Sequence, residues 1–173
     1  MLTMTHEIEI KLKYEHKQKL IEKLEEIGAK LKKKETLEDT YFSLDHTDMS
    51  NTHDLIRIRK KNGKAELTFK GKCETESDIW KRIELNTEIN DPDMMTKILE
   101  YLHFNTLLQN KSQREYWTLD NVEIVFIDLV KPLRLSWIEI EGPSEGKIQR
   151  ILDKLGNDVE KIGEDFFKKL DQI

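Results

Sequence analysis

Alternation of charged and apolar side chains constrains this chain more than any other feature. The first instance is Glu7-Ile8-Glu9-Ile10-Lys11-Leu12-Lys13. Successive side chains of a strand point to opposite faces. Ile8, Ile10 and Leu12 therefore share one face, and Glu7, Glu9, Lys11 and Lys13 the other. The pattern recurs in Leu55-Ile56-Arg57-Ile58-Arg59 and in residues 65–70, where Glu66 and Lys70 share a face. It recurs again in 79–89, where Arg82, Glu84, Asn86 and Glu88 oppose Ile83, Leu85 and Ile89, and in Trp137-Ile138-Glu139-Ile140-Glu141.

The remaining elements fill in around these strands. The first strand spans 5–14, and residues 15–31 form a helix with Leu20, Leu24, Ile27 and Leu31 at helical spacing. Gly28 lies near its end, and the basic run 30–34 reads as a solvated helix terminus. A short strand, 39–44, and a polar turn, 45–54, precede the Arg57 strand. Asn62-Gly63 marks a tight hairpin. Asp91-Pro92 starts a helix that turns Met95, Ile98, Leu99 and Leu102 inward. Strands 111–119 and 122–130 are joined by Asp120-Asn121, and 136–142 follows. Ser144 caps a helix carrying Ile148, Ile151, Leu152 and Leu155, and a last short helix buries Phe166, Phe167 and Leu170. About eight strands in hairpin-like order, with helices gathered in separate runs, argue for an α+β fold. So many short strands must manage their edges, and closure into a barrel is one solution.

Composition narrows the partners. The 173 residues fit a single domain, 1–173, and 37% hydrophobic content is enough for a core. The net charge of −5 argues against nonspecific nucleic-acid binding, which needs a basic footprint. Cys73 is the sole cysteine, which suits a reducing compartment. With no export signal and no apolar run of spanning length, the expected location is the cytoplasm, without a membrane partner. Monomer and homodimer both remain open.

If the sheet closes with helices outside, the charged faces must line the lumen. Charges buried on that scale are costly unless paired or bound to a ligand. Converging Lys and Arg call for a polyanion, and carboxylates beside them call for a bridging cation. A metal-bound polyphosphate satisfies both. The alternative is an open sheet with one solvated charged face.

These residues resemble the CYTH superfamily, the triphosphate tunnel metalloenzymes. Glu7-Ile8-Glu9-Ile10-Lys11 is similar to the family's ExExK signature. Asp39-Thr40-Tyr41-Phe42, Leu55-Ile56-Arg57-Ile58-Arg59, Leu67-Thr68-Phe69-Lys70-Gly71, Arg82-Ile83-Glu84, Arg114 and Glu139-Ile140-Glu141 resemble its later strands in order. The resemblance covers nearly the whole chain. It implies a closed eight-stranded antiparallel barrel, a tunnel with a charged interior and helices packed outside. It also implies that Glu7, Glu9, Glu139 and Glu141 hold Mg²⁺ or Mn²⁺, that Lys11, Arg57, Arg59, Lys70, Arg82 and Arg114 contact phosphate, and that Glu9, Lys11 and Glu141 are catalytic. Asn86 and Ser112 depart from the family pattern, and Trp117 takes an aromatic position in it.

The expected activity is divalent-metal-dependent hydrolysis of a triphosphate, inorganic triphosphate first, because no separable base-recognition motif is visible. The alternatives are a class IV adenylate cyclase acting on ATP, hydrolysis of thiamine triphosphate, and a noncatalytic polyphosphate or nucleotide binder. Asp128 reads either as a lumen carboxylate or as a strand end. Glu66 and Glu84 read as partners of lumen arginines, His6 as a surface residue, Lys13 as a rim residue, and Tyr41 and the tryptophans as packing groups.

Overall fold

The computed structural model describes residues 5–49, 52–74, 78–162 and 166. Its elements run β1 (Thr5–Lys13), α1 (Lys17–Glu26), β2 (Lys30–Ser43), β3 (Leu55–Lys61), β4 (Lys64–Lys70) and β5 (Trp80–Ile89). They continue with α2 (Pro92–Tyr101), β6 (Asn105–Leu119), β7 (Val122–Lys131), β8 (Leu135–Glu141), α3 (Glu145–Leu155), a 3-10 turn (Gly156–Asp158) and β9 (Glu160–Lys161). Strand neighbours follow the order β5-β4-β3-β2-β6-β7-β8-β1, and β1 pairs back onto β5. Eight antiparallel strands thus close into a barrel, and the two-residue β9 extends the far end of β1. β1 is the closing stave: residues 5–9 pair with β5, and residues 9–12 pair with β8.

Turn chemistry sets the registers. Asn62-Gly63 and Asp120-Asn121 all take positive φ, the geometry of tight hairpins whose twist matches the strands. Asp91 Oδ1 accepts the Met94 N–H at 2.8 Å, and Ser144 Oγ accepts the Lys147 N–H at 3.4 Å, so both expected caps form. At Gly142 an added Cβ would lie 3.1 Å from Ile148, so the glycine lets α3 sit down on the barrel.

The outward apolar faces of β1, β7 and β8 pack under α1 and α3. Ile10, Ile124, Phe126, Ile138 and Ile140 form one buried cluster with Leu20, Leu24, Ile148, Ile151 and Leu155. Each such side chain contributes about 1.5–3 kcal/mol on full burial. α2 covers β3 and β4 through Leu99, which joins Phe42 and Ile58.

Several expectations need correction. α1 ends at Glu26 because Gly28 takes φ +90°: its N–H bonds Glu25 O at 3.0 Å, and the Ala29 N–H bonds Leu24 O at 2.8 Å. The lysine-rich segment 30–34 is therefore the start of a 14-residue strand paired with β6, not a helix terminus. β6 likewise begins at Asn105, earlier than the expected 111. On α2 only Leu99 is fully buried; Ile98 and Leu102 are 43% and 57% exposed rather than inward. Phe166 is half-buried against an apolar cluster inside the barrel, while Phe167 and Leu170 lie outside the described residues.

Candidate active site in the barrel lumen

Strand parity carries the charged faces inward, as expected. Glu7, Glu9, Lys11, Arg57, Arg59, Lys70, Arg82, Arg114, Glu139 and Glu141 all line one cavity of about 210 Å³. The six cations come from β1, β3, β4, β5 and β6. Six glutamates line the same cavity, since Glu84 and Glu123 join the four picked from the sequence. Carboxylates of the barrel itself thus stand beside the lumen cations, with Asp39 behind Arg59 as a further one.

The pairing is specific. Arg82 donates from Nε to Glu7 at 2.6 Å and from a terminal nitrogen to Glu9 at 3.1 Å. Lys70 donates to Glu7 at 2.9 Å and also to Glu84. Lys11 lies between Glu139, to which it donates, and Glu9 at 3.1 Å, and sits 5.3 Å from the centre of the Trp80 ring. The Trp137 indole N–H donates to Glu139 at 3.0 Å. Asn86 accepts from Thr68 and donates to Glu84, so this departure from the family pattern is a neutral link in the network.

Arg57 and Arg59 share a strand face but differ in state. Arg59 makes two 2.7 Å hydrogen bonds to Asp39, whose side chain has no solvent exposure. Arg57 donates to Thr68 at 3.0 Å and meets Glu66 and Glu84 only at 3.7 and 3.9 Å. Its buried Nε has no hydrogen-bond partner among the described residues. A buried unmatched donor of a charged group is expensive, and an anion placed beside it removes that cost.

Electrostatics divides the four expected metal carboxylates. Burial pushes the Glu7 carboxyl up, but Lys70, Arg82 and Lys11 outweigh it and hold Glu7 well below the usual range. Burial likewise opposes ionisation of Glu139, yet Lys11 and Arg114 bring it to about 2. Glu9 goes the other way, raised by burial and by Glu7 and Glu139. Glu141 is pushed up to about 8 by burial of its carboxyl and by Glu7, Glu9, Glu123 and Glu84, although the residue as a whole is exposed at the tunnel end. Cross-strand neighbours Glu9, Glu141 and Glu123 form an acidic row, and Glu141 makes no ion pair among the described residues. Glu9 keeps Arg82 and Lys11 as counter-charges, whereas Glu141 and Glu123 add hard oxygen donors with no ion pair among the described residues, a combination that suits a hard divalent cation. Among the described residues no three of the carboxylates converge on one point; Lys11 lies between Glu9 and Glu139, and Lys70 between Glu7 and Glu84.

Other expectations resolve on geometry. Asp128 faces outward, accepting from Lys17 at 2.8 Å and Ser136 at 2.7 Å, and is no lumen carboxylate. Glu66 and Glu84 do pair with lumen cations. His6 is exposed, and Lys13 pairs with Glu160 at the rim. Trp117 points outward into the helix-covered core, whereas Tyr116, Tyr41, Trp80 and Trp137 line the cavity. Asp39 is the main site residue that the sequence did not disclose, since only the β2–β3 register places it opposite Arg59.

Comparison with known proteins gives the same frame. The CYTH domain model matches residues 5–170. The chain belongs to the CYTH family. A Methanocaldococcus jannaschii protein named "putative adenylate cyclase" is 34% identical over 136 residues, 78% of this chain and 75% of that protein. The Pyrococcus horikoshii protein PH1012 superposes with a TM-score of 0.73 at 26% identity, covering 93% of this chain and 99% of that one. The Hippeastrum protein HpAC1, described as a "putative adenylyl cyclase" with a dominant triphosphatase activity, shares the fold at 18% identity, TM-score 0.70, covering 96% and 95%. The CYTH barrel and its charged interior are thus present here; no helix among the described residues is long and apolar enough to cross a membrane.

Proposed function

We propose that this protein hydrolyses a triphosphate bound in the lumen, with a divalent cation. The observation that carries the reading is six cationic side chains converging from five strands on one cavity, with the Arg57 Nε left unmatched. A polyphosphate entering a lumen whose cations already face carboxylates brings added negative charge, which a divalent cation would offset. Arg57, Arg82, Lys70 and Lys11 take up phosphate oxygens and release glutamates from their present pairs. Glu9 and Glu141, with Glu7 and Glu139, would hold the metal, Mg²⁺ or Mn²⁺. When bound, it supplies Lewis-acid stabilisation of phosphate charge. Lys11, held between Glu9 and Glu139, stays protonated and spreads the charge that develops on the transferred phosphoryl group. Water adds to the terminal phosphorus and loses a proton to solvent, the bond from that phosphorus to the bridging oxygen breaks, the diphosphate departs with that oxygen, and the terminal group is released as phosphate.

A second reading rests on the relative named for cyclase activity: attack by a ribose 3′-hydroxyl on the α-phosphorus of ATP, releasing pyrophosphate. Incubation with inorganic triphosphate and ATP under Mg²⁺ and under Mn²⁺, resolving phosphate, pyrophosphate and cyclic AMP, separates the two. Glu9→Gln should abolish turnover, by about a hundredfold or more, while the protein stays folded, since Gln keeps the size and loses the charge a hard cation needs. Full metal-dependent activity in that variant removes Glu9 from the site. Binding without any product would make the protein a sensor rather than an enzyme.

A further inference from the structure

Three arginines of the lumen meet different kinds of partner. Arg59 is locked onto Asp39, and Arg82 onto Glu7 and Glu9. Arg57 donates instead to a neutral oxygen, the Thr68 hydroxyl, at 3.0 Å. Glu66 and Glu84 both approach the same terminal nitrogen, Nη2, but stop at 3.7 and 3.9 Å, beyond hydrogen-bond reach. A buried guanidinium beside two carboxylates should close that gap unless something holds it off.

Strand register supplies the hold. Arg57, Thr68 and Asn86 lie directly opposite one another on β3, β4 and β5. Thr68 has no solvent exposure, so bulk water does not compete for its hydroxyl. That hydroxyl accepts from Arg57 and has one proton to give. Asn86 Oδ1 lies at 2.7 Å and Glu66 at 3.4 Å, so the proton goes to Asn86. Asn86 in turn donates from Nδ2 to Glu84 Oε1 at 3.1 Å. This is the same carboxylate oxygen that faces Arg57 at 3.9 Å. The other oxygen of Glu84 accepts from Lys70. Glu84 is thus satisfied by an amide and a lysine, and Arg57 by a hydroxyl.

The row runs in one direction, Arg57 to Thr68 to Asn86 to Glu84. Position 86 must accept from a hydroxyl and donate to a carboxylate, which a carboxamide does and a carboxylate cannot. The reversed amide would set its oxygen against Glu84 Oε1. The departure of Asn86 from the family pattern therefore has a use.

We infer that Thr68 and Asn86 are positioning residues that act through Arg57: they keep its guanidinium off Glu84 and available to a phosphate oxygen. This rests on the reading of the lumen as a triphosphate site. Without the row, Arg57 closes on Glu84, and an entering phosphate must first break that ion pair.

The test measures binding of inorganic triphosphate with Mn²⁺ by calorimetry on the full chain. Thr68→Val keeps the shape and deletes the hydroxyl, Thr68→Ser restores it, and Asn86→Leu deletes both ends of the amide. Thr68→Val and Asn86→Leu should each weaken affinity by about tenfold, the scale of one charge-assisted hydrogen bond, and Thr68→Ser should bind as wild type does. On an Arg57→Ala background the two deletions should change affinity by less than about twofold, because the residue they act through is gone. Asn86 is exposed, so Asn86→Leu carries the test if the melting transition shows that Thr68→Val does not fold. Three results each overturn the positioning assignment and leave the triphosphate reading standing: full affinity in a folded deletion variant, a loss that persists without Arg57, or a Thr68→Ser protein no better than Thr68→Val. Absence of triphosphate binding by the wild-type protein with both Mg²⁺ and Mn²⁺ overturns the triphosphate reading itself, and this assignment with it.

Discussion

Glu9 and Ile10 are chain neighbours on β1 with nearly equal burial, 3% and 1% exposed, and they face opposite sides of the barrel wall. Ile10 enters a cluster with Leu20 and Leu24 and contributes transfer free energy to folding. Glu9 gives up hydration and recovers it through Arg82 and Lys11, an exchange that is close to neutral at best. The same strands thus keep stability on their outer face and chemistry on their inner one. Substitutions on the two faces should fail in different ways: outside, loss of stability with ligand affinity intact; inside, loss of affinity or turnover with the fold intact.

Arg59 is the place where that division should break most sharply. It faces the lumen, yet it is locked by two hydrogen bonds to the fully buried Asp39. Burial opposes ionisation of Asp39, but Arg59 first, then Arg57 and Arg114, keep it below its ordinary range. Arg59→Ala strands a buried carboxylate and should cost about 3–5 kcal/mol in urea denaturation. Arg59→Ala combined with Asp39→Asn should recover part of the loss, because the second change removes the stranded charge. A loss below about 1 kcal/mol would place Arg59 with the ligand-binding cations instead.

On the outer face, Ile138 has no solvent exposure and is flanked by Leu12 and Phe126 across the two strand pairings. Ile138→Ala should destabilise by about 2–5 kcal/mol through lost transfer energy and a residual cavity. Triphosphate affinity of the folded protein, measured by calorimetry, should stay within about threefold of wild type, a difference under 1 kcal/mol. A large affinity loss would show that the two faces are mechanically coupled.

What could be read from the sequence follows the same division. Where one face is apolar and the other charged, as in residues 7–13, 55–59 and 137–141, alternation disclosed both the strand and its inward groups. It was silent where both faces carry one kind of residue. In 30–34 lysines occupy both faces, and Leu31, the apolar exception, is 45% exposed, so the strand looked like a solvated helix end. β7 fails in the opposite sense: Ile124 to Ile127 are apolar throughout, and which of them face inward was invisible without the register. Asp39 was hidden because a pairing partner 20 residues away is set by the β2–β3 register, not by local pattern.

Arg57 should behave as Arg59 does not. Its carboxylate neighbours are distant and its Nε is unmatched, so Arg57→Ala removes a cation that the folded state does not depend on. The stability change should be below about 1 kcal/mol. Triphosphate affinity should fall by about tenfold to a hundredfold, the worth of one or two charge-assisted hydrogen bonds. Equal affinity in Arg57→Ala and wild type would mean that this inner face is part of the scaffold and not of the site.

The smallest effect is expected at the tunnel end, where inner and outer environments meet. Glu141 is raised to about 8 by burial of its carboxyl and by Glu7, Glu9, Glu123 and Glu84. The folded state therefore binds this proton more tightly than the unfolded chain, whose carboxyl titrates near its ordinary value of 4.5. Below about pH 4.5 both states are protonated and the group is neutral to stability. As pH rises from there to about 8, the unfolded chain releases the proton first, and stability falls across that window. Gln keeps the carboxamide uncharged throughout, so Glu141→Gln in chelator should match wild type near pH 4.5 and melt higher at pH 8.5. The residue is exposed, and solvent screening should limit the gain to about 1 kcal/mol, or about 2–4 °C, and less in high salt. Adding Mn²⁺ with inorganic triphosphate should reverse the order, because a carboxylate that gains a cation stabilises the fold by mass action and the amide cannot follow. Melting curves of both proteins at the two pH values, with and without that pair, decide it. If Glu141→Gln gains as much from Mn²⁺ and triphosphate as wild type does, the acidic row on β1, β8 and β7 is not where the cation sits.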